Sequence, residues 1–503
     1  MRKLFLLSCI SAGALLAQAP TIAGVYNATL ETSTSLCPGA LAGVFGTGFG
    51  SGSLTSVVLL VGGQKGFVVF VSTTQVNVEI PFNAPVGATT VVVTTGGGTS
   101  APFNVTLTAV APTISLAAGS TTAGLFLNLK NSIVSGTNLA NPGDTLYLYA
   151  TGLGPTNPAA PVSGEAASTL PTATMPTLTV GGVAATVLYS AIPNGFAGLY
   201  QVNFTVPKTV QGTIPVVLSI DGQSSNTVTL PLFGISAVVN AASFLNTDTA
   251  APEEMISIFA NGLGTTNQLY GFPSTTVEGV SVTINGIPTP FTALAASGSQ
   301  INLVAPSNLP TTGTVQVQLT TPTGTSIDYP LIMNPAVPGI FLVTVPSDPT
   351  ADIAVAQFAN TVWLVVPTSA ATALQIPQNC SESNANPLSI CGQPAAPGDY
   401  LVLYATGLGE VTPNGDPSGT PLPTGVVAPV SGSPLYETTA APTVQVGGVA
   451  ATVLFSGVAP GTAGEYQIDF QVPTGVTEGD AVPLTVSMPG SNTATATLAV
   501  HSR

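Results

Sequence analysis

Residues 200–206 read Tyr-Gln-Val-Asn-Phe-Thr-Val, with an apolar residue at every second position and polar residues between them. This alternation predicts an antiparallel β-strand with one packed face and one wet face, because successive side chains of a strand point to opposite sides. The closely similar YQIDFQV occupies 466–472, and a proline follows both stretches. The chain is therefore predicted to use the same half-buried strand at least twice.

Internal repetition extends well beyond this strand. PGDTLYLYATGLG at 142–154 returns as PGDYLVLYATGLG at 397–409, and a hairpin sequence, VGGVAATVL, is identical at 180–188 and 446–454. A fainter version of the pattern supplies a third and a fourth copy. The fainter matches are CPGALAGVFGTGFG at 37–50 with APEEMISIFANGLG at 251–264, and QVNVEIPFNAP at 75–85 with QINLVAPSNLP at 300–310. The repeats predict two copies of a two-module unit.

The expected fold class is all-β, with tandem immunoglobulin-like β-sandwich domains, because short alternating strands and tight turns fill units of about 100 residues. Gly-Gly and Asn-Gly pairs suit the primed hairpin turns that need positive φ at both central residues. The Cys, Trp, Cys signature of antibody domains is missing. The predicted modules are 20–110, 111–234, 235–335 and 336–503, after a leader at 1–19.

Composition excludes several classes of protein. Of 503 residues, 45% are hydrophobic and only 5% charged, and the 54 glycines and 44 prolines are too many for a long-helix protein. The chain has 6 Lys and Arg against 21 Asp and Glu, and Arg2 and Lys3 lie in the leader. An acidic chain without basic patches is not expected to bind nucleic acid or anionic lipid electrostatically.

The first 19 residues predict export. Arg2 and Lys3 precede an apolar run from Leu4 to Leu16, and Ala17-Gln18-Ala19 has the A-x-A form of a signal-peptidase site. Cleavage after Ala17 is the alternative, because proline at 20 disfavours cleavage before it. No later segment has 18 unbroken apolar residues, so membrane insertion is not expected. The predicted location is secreted or cell-surface.

Cys380 and Cys391 flank the polar stretch SESNANPLSI, and in an exported chain we expect them to form a disulfide. The alternative is two free thiols. Cys37 has no evident partner within the chain; burial and pairing with another chain both remain open.

Reactive centres are not expected, and the prediction is that the chain has no catalytic, cofactor-binding or metal-binding residues. The single histidine, His501, stands three residues from the end, where it would have to serve any Ser-His-Asp or Cys-His arrangement. The Gly-rich stretch GTGFGSG at 46–52 is interpreted as turns because no P-loop lysine follows it.

Four acids merit separate hypotheses. Glu253 and Glu254 are adjacent, and we interpret them as the solvent-exposed start of a strand rather than a glycosidase pair. Asp144 and Asp399 recur before equivalent strands, where capping of the Pro-Gly turn is favoured over a calcium ligand.

The aromatic residues are predicted to be mainly structural. Trp363, the only tryptophan, is expected to be buried, and a sugar platform would need it exposed. Tyr149, Tyr200, Tyr404 and Tyr466 recur in register, which favours core or corner positions over a ligand site.

Several motifs together resemble a known family. VVNAASF at 238–244, SIFANGLG at 257–264 and PGIF at 338–341, followed by the LYATGLG, VGGVAATV and YQIDFQVP motifs, resemble the acidobacterial, Solibacter-type C-terminal domain family of uncharacterised secreted proteins. The similarity to IPT/TIG immunoglobulin-like domains is looser. The resemblance implies an exported β-sandwich module and no activity, and the Cys380–Cys391 loop departs from it.

Two functions fit these observations. The first is a non-enzymatic protein of stacked modules with an adhesion, scaffold or matrix role, in which sparsely charged strand edges favour self-association. The second is a module that binds extracellular polysaccharide or surface proteins with the long loops at 155–179 and 410–445, since sandwiches commonly bind through loops.

Overall fold

Nearly all regular structure in the computed structural model is β, which confirms the predicted class of tandem immunoglobulin-like sandwiches. The structure describes residues 18–50, 52–245, 248–264, 267–269, 274–295, 299–348, 350–378, 380 and 390–502. The predicted signal peptide therefore lies outside the described residues except for its last two positions. Two compact units span Met1–Leu232 and Phe233–Arg503, and each contains two sandwiches with separate hydrophobic cores.

Sandwich 1 consists of a sheet with strand order β1-β2-β6-β5, packed on a sheet with order β4-β3-β7-β8 in which β9 also pairs with β7. Its strands are β1 (Thr21–Asn27), β2 (Leu41–Thr47), β3 (Val58–Val61), β4 (Gln64–Lys65), β5 (Phe67–Val71), β6 (Gln75–Glu79), β7 (Gly87–Thr95), β8 (Gly98–Thr99) and β9 (Phe103–Leu107), with a 3₁₀ turn at Leu54–Ser56.

Sandwich 2 has one continuous path, β10-β12-β16-β15-β14-β17-β18, because the long strand β15 pairs with both β16 and β14. Its strands are β10 (Thr113–Ile114), β11 (Phe126–Asn128), β12 (Thr145–Thr151), β13 (Leu170–Pro171), β14 (Thr177–Val180), β15 (Val183–Ile192), β16 (Tyr200–Thr205), β17 (Thr213–Ile220), β18 (Gln223–Ser224) and β19 (Val228–Pro231).

Sandwich 3 opens the second unit with the orders β20-β22-β28-β27-β23 and β21-β31-β29-β25-β24. Its strands are β20 (Gly234–Asn240), β21 (Thr249–Ala250), β22 (Met255–Asn261), β23 (Asn267–Leu269), β24 (Thr276–Val277), β25 (Val280–Ile284), β26 (Ile287–Pro288), β27 (Phe291–Ala295), β28 (Gln300–Val304), β29 (Gly313–Thr321), β30 (Gly324–Thr325) and β31 (Tyr329–Met333).

Sandwich 4 has the orders β35-β34-β33-β36-β42-β41-β38-β37 and β40-β39-β43-β44. Its elements are β32 (Gly339–Ile340), β33 (Ala356–Phe358), β34 (Leu364–Val365), helix α1 (Thr368–Ala373), β35 (Gly392–Gln393), β36 (Tyr400–Thr406), β37 (Val411–Pro413), β38 (Tyr436–Thr438), β39 (Thr443–Val446), β40 (Val449–Ala450), β41 (Thr452–Val458), β42 (Tyr466–Gln471), β43 (Gly479–Ser487) and β44 (Thr493–Val500).

The alternation of apolar and polar residues predicted for 200–206 is present in the central strands as an alternation of buried and partly exposed side chains. In β16, Tyr200, Val202 and Phe204 are buried, whereas Gln201 and Asn203 between them are partly exposed. At about 25 cal/mol per Å² of apolar surface removed from water, such inward faces supply most of the folding free energy. The strand therefore divides into a core face and an outer face, and the outer face is where polar chemistry is available.

The hairpin turns have the backbone that their sequences predict. Gly181 and Gly182 have φ of 61° and 78°, and Asn285 and Gly286 have φ of 54° and 75°. Positive φ at both central residues is required by a type I′ turn, which glycine and asparagine adopt at little cost.

A β-bulge recurs at the same place in all four sandwiches. The register shifts between Val68 and Phe70 in β5, and equivalent shifts occur in β15, β27 and β41. A bulge inserts one residue and redirects the side chain that follows it. Its recurrence shows that the four copies share this irregularity as well as the regular strands.

Candidate binding face

The outer faces of strands β6, β16, β28 and β42 carry a repeated pair of polar side chains. In β16 the Gln201 Nε2 donates a hydrogen bond to the Asn203 Oδ1 at 2.8 Å. The same i to i+2 bond is found in the other three sandwiches, at 2.7–2.9 Å. These bonds join Gln75 to Asn77, Gln300 to Asn302, and Gln467 to Asp469.

An aromatic ring lies opposite the glutamine in every copy. Tyr149 on β12 pairs in register with Gln201. The equivalent register pairs are Phe45 with Gln75, Phe259 with Gln300, and Tyr404 with Gln467. All four rings are partly exposed.

The bulged strand supplies a second ring in three of the four sandwiches. Tyr189, the residue that follows the bulge in β15, lies opposite Asn203. Phe70 lies opposite Asn77 and Phe455 opposite Asp469 in the same way. In sandwich 3 this position holds Ala293 instead. We call these four residues, ring, Gln, Asn or Asp, and bulge residue, the ring–amide set.

Further rings widen the surface around two of the sets. In sandwich 2, Tyr147 contacts Tyr149 edge to face with centroids 5.7 Å apart, and Phe196, which is 42% exposed, lies 6.5 Å from Tyr149. In sandwich 1, Tyr26 packs edge to face on Phe45 at 5.8 Å. Edge-to-face packing of this kind holds the rings in fixed orientations.

The ring–amide set of sandwich 4 differs in charge from the other three sets. The ring–amide sets of sandwiches 1 to 3 contain no charged residue, whereas sandwich 4 has Asp469 in place of asparagine. Burial raises the pKa of Asp469, and the hydrogen bond from Gln467 opposes that rise. The pKa of Tyr404 is also raised, first by burial and then by the charges of Glu465 and Asp469.

The chemistry available to the set follows from its groups. Each Gln–Asn bond uses one amide N–H and one carbonyl, so the glutamine carbonyl and the asparagine NH₂ keep unused hydrogen-bonding capacity. Flanking rings offer flat apolar surfaces. A planar surface with rings and outward amide groups can stack on the C–H face of a sugar and hydrogen-bond its hydroxyls.

The two long loops, which the sequence predicts as an alternative contact surface, pack in part against the preceding sandwich. In loop 155–179, Gly164 N–H donates to the Glu79 Oε2 at 2.7 Å, and Ala166 is buried. In loop 410–445, Val411 N–H donates to the Glu253 Oε2 at 3.0 Å. These segments fix the joint between the two sandwiches of each unit, a role that the sequence analysis did not predict.

Glu253 and Glu254 are buried, so their interpretation as a solvent-exposed strand start was wrong. Glu254 accepts hydrogen bonds from Ala251 N–H at 2.7 Å and Asn240 Nδ2 at 2.8 Å. Glu253 Oε1 has no partner among the described residues. Burial raises the pKa of each carboxyl from 4.5 to about 8.

The recurring tyrosines divide into two groups. Tyr200 and Tyr466 are fully buried, and their hydroxyls donate to the carbonyls of Gly154 and Gly409, as expected for core or corner positions. The same expectation was wrong for Tyr149 and Tyr404, which belong to the outer face.

The remaining candidates occupy structural positions. Asp144 Oδ2 accepts from Asn141 N–H at 2.8 Å and Asp399 Oδ2 from Ala396 N–H at 2.7 Å, so the predicted turn capping is confirmed. Trp363 is buried, as expected.

The structure also shows the bonding state of the cysteines and the position of the histidine. Cys380 and Cys391 are joined by a disulfide, and Cys37 is a buried free thiol. His501 is partly exposed and its Nε2 lies 2.7 Å from Asp480 Oδ1. Among the described residues, no three of His, Cys, Asp and Glu are grouped as metal ligands. In the same part of the chain, no helix is long and apolar enough to span a membrane.

Comparison with known proteins yields structural similarity only. No family model and no curated protein matches the chain. Similar solved structures include the plexin A4 extracellular region, with 10% identity and a TM-score of 0.26 over 95% of this chain and 30% of that one. A Bacteroides ovatus SGBP-B from a mixed-linkage glucan utilization locus, in complex with a heptasaccharide, gives 16% identity and a TM-score of 0.17 over 65% and 74%. The S-layer protein rSbsC gives 12% and 0.17 over 96% and 54%. The chain thus spans less than a third of the plexin chain.

Proposed function

We propose that this chain is an extracellular, non-enzymatic binding protein with an adhesion or scaffold role, and that its ring–amide sets bind neutral polysaccharide. The observation that carries the proposal is repetition: four copies of one module each place a ring beside a bonded Gln–Asn or Gln–Asp pair on the same outer face. Packing of the core does not require a repeated ring and amide pair, because these side chains point away from the core. Export, and membership of the acidobacterial family, remain predictions from the sequence.

The polarity of the surface favours sugar over other ligands. Three of the four sets are uncharged, and the chain carries only 6 Lys and Arg in 503 residues, so anionic polymers find little to attract them. Neutral hydroxyl-rich chains are matched by amides and rings without a charge. Several weak sites on one chain would bind a polymer with higher avidity than any single site.

Affinity electrophoresis tests the proposal. The chain from Gln18 onward would be run through gels containing cellulose derivatives, xylan, mixed-linkage glucan or mannan. We expect retardation by at least one neutral polymer. A double variant, Tyr149→Thr with Tyr189→Thr, removes both rings of the sandwich 2 set while keeping residues that suit strands.

The control variant is Val86→Thr, which removes a 60% exposed apolar side chain in a turn away from every ring–amide set. Retardation should fall at least threefold in the double variant and stay unchanged in Val86→Thr, with equal thermal midpoints for both. Equal retardation of the double variant and the wild-type chain by every polymer, or no retardation of the wild-type chain at all, would refute the proposal.

A further inference from the structure

The last strand of each sandwich, β9, β19, β31 or β44, has one edge that faces away from its main pairing partner. The four sandwiches differ in how this edge is covered. At the C-terminal end of this last strand, one residue in every sandwich forms a parallel bridge with the residue that precedes the Pro turn of the same sandwich. These bridges join Leu36 to Leu107, Ala140 to Leu232, Ala250 to Met333 and Ala395 to Val500. The four bridges define one common register, so positions along the four edges can be compared directly.

Three residues before this bridge, sandwiches 2 and 4 close the edge with their own chain. Thr229 N–H donates to Thr122 O at 2.8 Å, and Gly124 N–H donates to Thr229 O at 3.1 Å. In sandwich 4, Thr497 N–H donates to the carbonyl of Asp352 at 2.6 Å, and Ala354 N–H returns a bond to Thr497 O at 2.9 Å. We call these two bridging segments, 122–124 in sandwich 2 and 352–354 in sandwich 4, the clips. Each clip runs parallel to the edge strand that it pairs with.

Sandwich 3 protects the same position by another means. Pro330 stands three residues before Met333, and proline has no N–H to offer a further strand. Proline at a sheet edge is a recognised guard against strand addition. Three of the four edges are therefore either covered or blocked at this position.

In sandwich 1 the equivalent residue is Asn104, and the edge is open. Strand β9 pairs with β7 without a register shift, and outside that ladder Thr108 N–H donates to Leu36 O. Alternation along the strand directs the N–H groups of Asn104 and Thr106 the same way as that of Thr108. Among the described residues, neither of these N–H groups donates to a backbone carbonyl outside the strand ladders.

A cleft of about 670 Å³ adjoins this open edge. Its walls come from β1, β7, β9 and the segment before β2. The apolar part includes Val25, Leu36, Phe103 and Val105, and none of the residues that line the cleft is charged. This volume is in the range of sites that hold an ordered ligand.

We propose that sandwich 1 binds an extended, uncharged peptide segment of a partner polypeptide, which adds as a parallel strand to β9 and inserts small apolar side chains into the cleft. The internal clips show the chemistry that fits. The residues that donate from these segments are small, Gly124 in sandwich 2 and the buried Ala354 in sandwich 4, and the residues bridged to the edge are the apolar Ala123 and Ile353. Backbone bonds give such a complex its affinity, and the alternate side chains give its specificity. This site shares none of the four residues of the sandwich 1 ring–amide set, although Tyr26, which packs on Phe45, also lines the cleft.

A synthetic peptide taken from the chain tests the proposal. Residues 119–126, GSTTAGLF, contain the clip of sandwich 2 and carry no charge. With blocked termini and a fluorescent label, this peptide should raise its anisotropy on titration with the chain from Gln18 onward. The same peptide with Gly124→Pro lacks the donating N–H and should bind at least tenfold more weakly.

Two chain variants locate the site. Asn104→Pro copies the natural solution at Pro330 and removes only an edge N–H that the β7 ladder does not use, so folding should be kept. It should weaken peptide binding at least tenfold. Asn104→Ala keeps the N–H and should bind like the wild-type chain. A thermal melt checks that both variants are folded.

Three results would overturn the proposal. Equal binding by Asn104→Pro and the wild-type chain would place the peptide elsewhere, for example in sandwich 2 in exchange with the native clip. Absence of binding by the wild-type chain up to millimolar concentration would show that the edge does not accept a strand. Self-association of the wild-type chain that Asn104→Pro abolishes, without peptide binding, would assign the edge to pairing between copies.

Discussion

At the residue scale, the two units place a buried carboxylate at equivalent joints but supply it from different elements, from β6 as Glu79 and from the turn before β22 as Glu253 and Glu254. Sandwich 1 has Gly39 and Ala40 at the positions of Glu253 and Glu254, and Glu79 at the position of Val304. Burial raises the pKa of Glu79 from 4.5 to about 7. Both units therefore bury a glutamate at this joint, although the glutamate stands at different positions of the repeat.

The raised pKa of Glu253 predicts how stability depends on pH. Because the folded pKa of about 8 lies above the ordinary 4.5, the folded state keeps a proton that the unfolded state releases. The stabilisation from this group is complete below about pH 4.5 and is lost as pH rises to about 8. Glu253→Gln, which cannot ionise, should unfold with a shallower dependence on pH between 5 and 8.

Urea midpoints of both proteins at half-unit pH intervals would measure this dependence. The difference in slope should correspond to about one proton, and the other titrating groups cancel between the two proteins. Parallel midpoints across the whole range would contradict the prediction.

Cys37 should be unreactive while the protein is folded. Its side chain has no exposed surface, and burial raises the pKa of its thiol to about 12, whereas thiol reagents attack the thiolate. In the chain from Gln18 onward, a chromogenic disulfide reagent should detect no thiol under native conditions and one per chain in denaturant. Rapid reaction of the native protein would contradict this prediction, and Cys37→Ala provides the blank.

At the element scale, the recurrent bulge brings a second ring to three of the four ring–amide sets. It places Phe70, Tyr189 and Phe455 directly opposite the Asn or Asp of their sets, and sandwich 3 is the exception, with Ala293. Rings on both sides of an amide pair require three adjacent strands in one register. That requirement explains why the set is invisible in any single stretch of sequence.

Sandwich 3 permits a gain-of-function experiment. Ala293→Tyr should complete its ring–amide set and increase retardation by a polymer that already binds, because one more site raises avidity. Thr292→Tyr places a ring one residue away, before the bulge position, and should have no such effect. Equal behaviour of the two variants in the affinity gels would show that position opposite Asn302 is unimportant.

The caps on the Pro-Gly turns should matter for stability rather than for binding. Asp399→Ala removes the acceptor for Ala396 N–H, and a hydrogen bond of this kind contributes about 1 kcal/mol to the free energy of unfolding. Urea unfolding should show that loss, with polysaccharide retardation unchanged. Asp399→Asn, which keeps an acceptor oxygen, should recover most of the stability.

At the scale of the whole molecule, the disulfide belongs to one unit only. Cys380 and Cys391 are 11 residues apart in sequence, and closing a loop of that length stabilises by about 3 kcal/mol in the chain-entropy model. Reduction should therefore lower the melting temperature of the unit Phe233–Arg503. Calorimetry of the chain with and without reductant should show the transition of the unit Met1–Leu232 unchanged, and a shift of that transition would contradict the assignment.

The sequence by itself determined the all-β class, the fourfold repetition, the hairpin turns and the capping by Asp144 and Asp399, because each depends on residues close together in the chain. Tertiary structure alone decided that Glu253 and Glu254 are buried, because Val411, 158 residues away in sequence, donates to Glu253, and Asn240 on a neighbouring strand donates to Glu254. It also decided that Tyr149 faces outward beside Gln201 and that β9 keeps an open edge. Such facts depend on strand order, register and the coverage of edges, which arise only when distant segments pack together.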